Sequence, residues 1–125
     1  MPTERRIDDL TFLVVDDLET MRHVTINQLR LLGAGKILAA HNGLEGLKLL
    51  RQHKVDVVLA DLNMPLMDGL DLLKMVRAVS DLPVLVLTAR EDESSILAAF
   101  DSGADDYVVK PISGPQLSAR ITALL

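Results

Sequence analysis

Residues 55–61 read VDVVLAD, a short apolar run that stops at a carboxylate. Three further runs have the same form: FLVV stops at Asp16, VLVL at Thr88 and YVV at Lys110. Short runs of Val and Leu without polar alternation are typical of strands buried on both faces, which indicates a parallel sheet covered by helices. Functional residues of such sheets lie at the carboxyl ends of the strands, so we expect these four polar residues to meet there.

The segments between the runs carry apolar residues at helical spacing. We predict one helix that ends at Gly33 and four more over about 44–53, 70–79, 94–102 and 114–125. Residues 36–41 fit either a second strand or a helical extension. Strand and helix then alternate five times, which predicts a doubly wound (βα)5 α/β fold. The strand order 2-1-3-4-5 would bring the ends of strands 1 and 3 together.

The composition argues against several classes of protein. At 125 residues the chain suffices for one domain, and it has no cysteine for disulfides or thiolate metal sites. No apolar run is long enough to span a membrane, and residues 1–9 do not resemble a signal sequence, so we expect a cytoplasmic protein without a membrane partner. The net charge of −5 argues against direct binding to nucleic acid, which depends on clustered Lys and Arg.

Three carboxylates, Asp16, Asp17 and Asp61, are expected to converge at the ends of strands 1 and 3. Each pair of such charges costs roughly 4 kcal/mol at about 4 Å and an effective dielectric constant of about 20. A site of this kind raises carboxylate pKa values or binds a hard divalent cation, and oxygen ligands suit Mg²⁺. The alternative is that Asp17 caps the first helix. Convergence with Thr88 and Lys110 favours the metal site.

A carboxylate beside Mg²⁺ can attack phosphorus and form an aspartyl phosphate. Lys110 offers a positive charge and Thr88 a hydroxyl donor for the transferring oxygens. Asn63 follows Asp61 by two residues, where its carbonyl or side chain could reach the metal or a water. Each residue also has a structural interpretation: Thr88 as a helix cap, Lys110 as a surface charge and Asn63 as a turn residue before Pro65.

Four motifs occur together in this chain: VVDD at 14–17, LADLNMPLMDG at 59–69, LTA at 87–89 and GADDYVVKP at 103–111. In this order and spacing they closely resemble the receiver domain of two-component response regulators. The resemblance covers residues 11–125, which leaves 1–10 as an N-terminal extension. It implies the flavodoxin-like and CheY-like five-stranded sheet and a signalling module.

The resemblance also implies a role for each aspartate. Asp61 would be the phosphoacceptor and would be phosphorylated by a histidine kinase or a histidine phosphotransfer protein. Asp16, Asp17 and Asp61 would hold Mg²⁺ together with the backbone carbonyl of Asn63.

Further roles follow by the same resemblance for residues of the last two strands. Thr88 and Lys110 would bind the phosphoryl oxygens, and Tyr107 would change rotamer together with Thr88 on activation. The Lys110-Pro111 peptide bond would be cis. The switched surface for an output domain or target protein would be formed by helix 4, strand 5 and helix 5.

Two other functions fit part of the pattern. A Mg²⁺-dependent phosphohydrolase of the haloacid dehalogenase class needs an Asp two residues after its nucleophile, and this chain has Asn63 there. A scaffold that has lost phosphorylation is disfavoured by the complete set of site residues. We therefore expect a phosphoacceptor with slow self-dephosphorylation rather than an enzyme.

The sequence resembles two subfamilies of receivers. Residues 18–22 resemble stand-alone chemotaxis regulators, and residues 103–107 and 117–121 resemble receivers of winged-helix transcription factors. Ile96 and Gln116 stand where the latter usually carry a basic and an acidic residue that pair across an active dimer, which weakens the expectation of that dimer.

Several apolar side chains are assigned to the interior. We expect Ile96, Leu97 and Phe100 of the fourth helix to face inward. The methionines Met64, Met67 and Met75 are interpreted as core residues rather than a partner groove.

Overall fold

Five parallel strands form one sheet, in the order 2-1-3-4-5, within residues 6–63 and 68–125, the part of the chain that the computed structural model describes. The strands are β1 (Thr11–Val15), β2 (Lys36–Ala40), β3 (Val57–Ala60), β4 (Val84–Thr88) and β5 (Asp106–Val109). The helices are α1 (Glu19–Leu31), α2 (Gly43–Gln52), α3 (Gly69–Val79), α4 (Glu93–Asp101) and α5 (Gly114–Leu124). The predicted fold and strand order are confirmed, and residues 36–40 form a strand.

The two faces of the sheet are buried under different helices. On β1, Phe12 and Val14 belong to the cluster beneath α1 and α5, whereas Leu13 and Val15 belong to the cluster beneath α2 and α3. Successive side chains of a strand point to opposite faces, so a strand covered on both sides must be apolar throughout. This is why the strand-like runs of the sequence lack polar alternation.

The segment before β1 packs on the same structure. Residues 7–9 form a short 3₁₀ turn, and Leu10 is buried in the cluster that contains Ile26 and Leu29. A Cβ atom at Gly35 would overlap the carbonyl oxygen of Asp8, so the turn after α1 lies directly against this segment. The division of the chain at residue 10 stays a prediction.

The predicted orientation of three apolar side chains was wrong. Leu97 and Phe100 of α4 are 54% and 46% exposed, and the helix instead buries Ser95 and Ala99. Met75 of α3 is 42% exposed rather than in the core. Both helices carry more apolar residues than one buried face accommodates. Ile96 packs against the core as predicted, and Met64 and Met67 lie outside the described residues.

No helix within the described part of the chain has both the length and the apolar character needed to cross a membrane.

Candidate functional site

The carboxyl ends of β1 and β3 bring two aspartates side by side. Val15 and Ala60 are partners in the parallel register, so Asp16 and Asp61 follow at equivalent positions. The Asp61 amide donates to the Val15 carbonyl at 3.0 Å, which continues the ladder into the site. The predicted convergence therefore occurs where neighbouring strands send their connections to opposite faces of the sheet.

Asp17 completes a cluster of three carboxylates. Asp16, Asp17 and Asp61 each offer an oxygen atom, and these atoms lie within 4.8 Å of one another. Asp16 and Asp61 are buried, and Asp17 is the most exposed of the three. The alternative role of Asp17 as a helix cap is wrong, because α1 begins after Leu18 without a side-chain cap hydrogen bond among the described residues.

Lys110 supplies the positive charge of the cluster. Its Nζ lies 2.6 Å from Oδ2 of Asp16 and 3.5 Å from Oδ2 of Asp61. The side chain is only 8% exposed, so the interpretation of Lys110 as a surface charge is wrong. A buried ammonium between two buried carboxylates offsets part of their mutual repulsion.

The charge and the donor atoms of this cluster fit a divalent cation. Three carboxylates and one ammonium leave a formal charge of −2. Mg²⁺ prefers oxygen ligands and keeps several waters, which an open cluster at a strand end allows. Asn63 donates its backbone N–H to Oδ1 of Asp61 at 3.2 Å. The participation of the Asn63 carbonyl in metal binding stays a prediction.

Two further residues of the predicted set lie on the neighbouring strands. Thr88 ends β4 fully buried, and its Oγ1 accepts a long hydrogen bond of 3.4 Å from the Arg90 amide. Tyr107 of β5 donates its hydroxyl to the Arg90 carbonyl at 2.7 Å, and its ring centroid lies 6.5 Å from that of Phe100. Burial and the nearby Asp92 anion raise the pKa of the Tyr107 hydroxyl, so it remains a donor. The loop after Thr88 is thus tied to Tyr107.

A close backbone contact holds the segment that follows Asp61. A Cβ atom at Gly69 would overlap the backbone of Asp61 and Leu62, and the Gly69 amide donates to the Leu62 carbonyl at 3.2 Å. The start of α3 therefore lies directly against the residue predicted to accept phosphate, and only glycine leaves room for this approach.

Sequence reasoning missed two side chains on α1 that support the site. Arg22 donates from Nη1 to the Asp16 carbonyl at 2.8 Å, and Gln28 donates from Nε2 to the Ile112 carbonyl at 2.7 Å. The second bond ties α1 to the loop that carries Lys110, whose bond to Pro111 is cis as predicted. Both acceptors are backbone atoms and most residues of α1 are polar, so nothing in the sequence distinguished these two side chains from the others.

Comparisons with known proteins agree with this geometry. The profile of the response regulator receiver domain matches residues 12–122. The transcriptional regulatory protein AfsQ1 of Streptomyces coelicolor is 39% identical over 116 residues, which are 92% of this chain and 51% of that protein. The ycf27 protein of Cyanidium caldarium is 40% identical over 113 residues, which are 90% of this chain and 45% of that protein.

A solved structure has the same fold over nearly its whole length. Chemotaxis protein CheY4 of Vibrio cholerae superposes with a TM-score of 0.86 at 28% sequence identity, and the match covers 93% of this chain and 98% of that one. This chain spans about half the length of the curated relatives it matches. With its strand-end carboxylates and buried lysine, the chain belongs to the response regulator receiver family and is a receiver module of two-component signalling.

Proposed function

We propose that Asp61 accepts a phosphoryl group, in a Mg²⁺-dependent reaction, from the phosphohistidine of a histidine kinase or a histidine phosphotransfer protein. The observation that carries this proposal is the position of Asp61 between two other carboxylates and the buried ammonium of Lys110. The kinase partner implies the cytoplasmic location that we propose for the chain.

The reaction is an in-line displacement at phosphorus. A carboxylate oxygen of Asp61 attacks, a new O–P bond forms as the P–N bond to the donor imidazole breaks, and the imidazole leaves with the bonding electron pair. Asp61 Oδ1 accepts from the Asn63 amide, which orients the carboxylate. The Lys110 ammonium donates its short hydrogen bond to Asp16, and its contact with Asp61 is longer. The other ammonium hydrogens can therefore bind phosphoryl oxygens at Asp61.

The metal would be held by Asp16, Asp17, Asp61 and the Asn63 carbonyl. When bound, Mg²⁺ supplies positive charge that lowers the repulsion between the carboxylates and the incoming phosphate. Lys110 would provide a second positive charge, and Thr88 would provide a hydroxyl donor at the end of β4. We propose that the phosphoryl oxygens lie between these two groups.

Output is proposed to follow from Thr88 and Tyr107. A Thr88 hydroxyl drawn towards the phosphoryl group would leave space for the Tyr107 ring, which would then give up its hydrogen bond to the Arg90 carbonyl. The ring contacts Phe100 of α4, so this movement would bias the face formed by α4, β5 and α5. An output domain or a downstream target protein would bind this face.

The module is proposed to act without turnover of an external substrate. Asn63 stands where an aspartyl phosphohydrolase of the haloacid dehalogenase class needs an acid, and a neutral amide cannot donate a proton to a leaving group. We therefore expect slow self-dephosphorylation and no activity on free phosphate esters.

Acetyl phosphate tests the proposal without a cognate kinase. With Mg²⁺, intact mass should report one added phosphoryl group, and chelation of the metal should prevent it. Asp61→Asn should abolish the addition. Asp101→Asn, at an exposed position on α4, is the matched control and should be phosphorylated like the wild type. Undiminished phosphorylation of Asp61→Asn would overturn the assignment.

A further inference from the structure

An apolar groove lies between α2 and α3 at the end of the sheet opposite the aspartates. Its floor includes Val55, just before β3, and Leu82, just before β4, so it opens at the amino ends of these strands. Leu47 of α2 and Val76 of α3 line its walls, and its volume is about 400 Å³. That volume accommodates several large apolar side chains.

The apolar surface continues out of this α2–α3 groove. Met75 and Val79 both line it, and they are 42% and 86% exposed. They lie four residues apart, hence on the same side of α3. A small molecule confined to the groove would leave most of Val79 in water. The surface therefore favours a partner that fills the groove and also covers the adjoining face of α3.

The charge of the groove is opposite to that of the whole chain. Arg51, His53 and Lys54 belong to its lining, and the described lining residues include no carboxylate, although the chain carries a net charge of −5. Neither Arg51 nor Lys54 forms an ion pair with any residue in the described ranges 6–63 and 68–125. Cations in this position complement an acidic partner.

We propose that the α2–α3 groove docks an acidic amphipathic helix of a partner protein. Apolar side chains spaced three and four residues apart would enter the groove and cover Val79, while carboxylates beside them would pair with Arg51 and Lys54. The groove lies at the opposite end of the strands from Asp61. The docking surface is therefore separate from Asp61 and from the face formed by α4, β5 and α5.

A pair of synthetic helical peptides tests this proposal. The first carries Leu and Phe along one face and Glu on the other, and the second has Lys in place of every Glu. Titrated into ¹⁵N-labelled protein, the Glu peptide should shift the amide resonances of residues 47–55 and 75–82. Because each exposed ion pair contributes only modestly, loss of both cations in Arg51→Ser/Lys54→Ser should weaken binding roughly tenfold.

Variants of exposed apolar residues locate the contact. Val79→Asp should also weaken binding of the Glu peptide, whereas Leu31→Asp should not, because Leu31 is equally exposed but lies on α1. Absence of shifts in the groove, equal binding of the Lys peptide, or shifts confined to α4 and α5 would each overturn the proposal. Binding to anionic lipid vesicles that requires Arg51 and Lys54 would also overturn it, since the partner would then be a membrane.

Discussion

Lys110 and Asp16 form an ion pair that is almost completely shielded from water: the two side chains are 8% and 4% exposed, and Nζ lies 2.6 Å from Oδ2. The nearer partner of the lysine is thus Asp16 rather than Asp61. The positive charge of Lys110 offsets part of the repulsion between these carboxylates. The same side chain therefore contributes to folding and to the chemistry proposed for Asp61.

Removal of this ammonium should destabilise the metal-free domain. Lys110→Met keeps most of the aliphatic stem but leaves buried carboxylates without their counter-charge, and we expect a free energy of unfolding lower by about 3 kcal/mol. Urea unfolding in the presence of a chelator measures the loss. Added Mg²⁺ should recover more stability in the variant than in the wild type. Lys48→Met, at an exposed position on α2, is the control; equal effects of the two substitutions would contradict a role for the buried pair.

Loss of Asp17 should have the opposite effect on the metal-free protein. Asp17→Ala removes one of three crowded carboxylates without loss of a helix cap, because α1 begins at Glu19 and its N-cap residue is Leu18. Without Mg²⁺ the variant should melt at or above the wild-type temperature, and Mg²⁺ should bind it more weakly. Thermal melts with and without the metal give both quantities. A clear drop in melting temperature in the metal-free sample would show that Asp17 stabilises the fold in another way.

The start of α4 should respond to acid through Asp92. Hydrogen bonds from the Ser95 and Ser94 hydroxyls and the Ser95 amide lower the pKa of the Asp92 carboxyl from 3.8 to about 2. A lowered folded-state pKa gives stability that is complete above the unfolded-state value and is lost as pH falls through the folded-state value. The stability advantage of wild type over Asp92→Asn should therefore shrink as the pH falls from about 4 to about 2. Urea midpoints measure it, and an advantage that is constant over this range would contradict the assignment.

Much of the site followed from the sequence because the parallel sheet determines where strand ends lie. Asp16, Asp61, Thr88 and Lys110 each terminate an apolar run, and the rule that ligand sites occupy the carboxyl ends of strands brings them together without any knowledge of side-chain contacts. The cis bond before Pro111 could be expected only from the resemblance to the family.

Other features could not be predicted because they depend on packing across the fold. Gln28 contacts a backbone carbonyl 84 residues away, and no periodicity encodes such a bond. Helical spacing identified the apolar residues of α3 and α4 but could not distinguish the buried ones from Met75, Leu97 and Phe100, because both helices are apolar over more than one face.

The activated domain should stay monomeric. Arg120 pairs with Asp106 of its own chain at 3.2 Å, and Ile96 and Gln116 lack the charges that pair across the dimer of winged-helix receivers. Sedimentation velocity with Mg²⁺ and beryllofluoride, a phosphoryl mimic, should therefore report one monomeric species. A shift to dimer that Arg120→Glu reverses would show that the remaining charges suffice.

The acyl phosphate is predicted to form on Asp61, and the chemistry of an acyl phosphate offers a direct test. Borohydride reduces an aspartyl phosphate to homoserine and leaves free carboxylates unchanged, so the reduction marks the residue that carried the phosphate. The protein is phosphorylated with acetyl phosphate and Mg²⁺, reduced, digested and sequenced by mass spectrometry. We predict homoserine at position 61 and aspartate at positions 16 and 17. Homoserine at position 16 or 17, with an unmodified Asp61, would contradict the account.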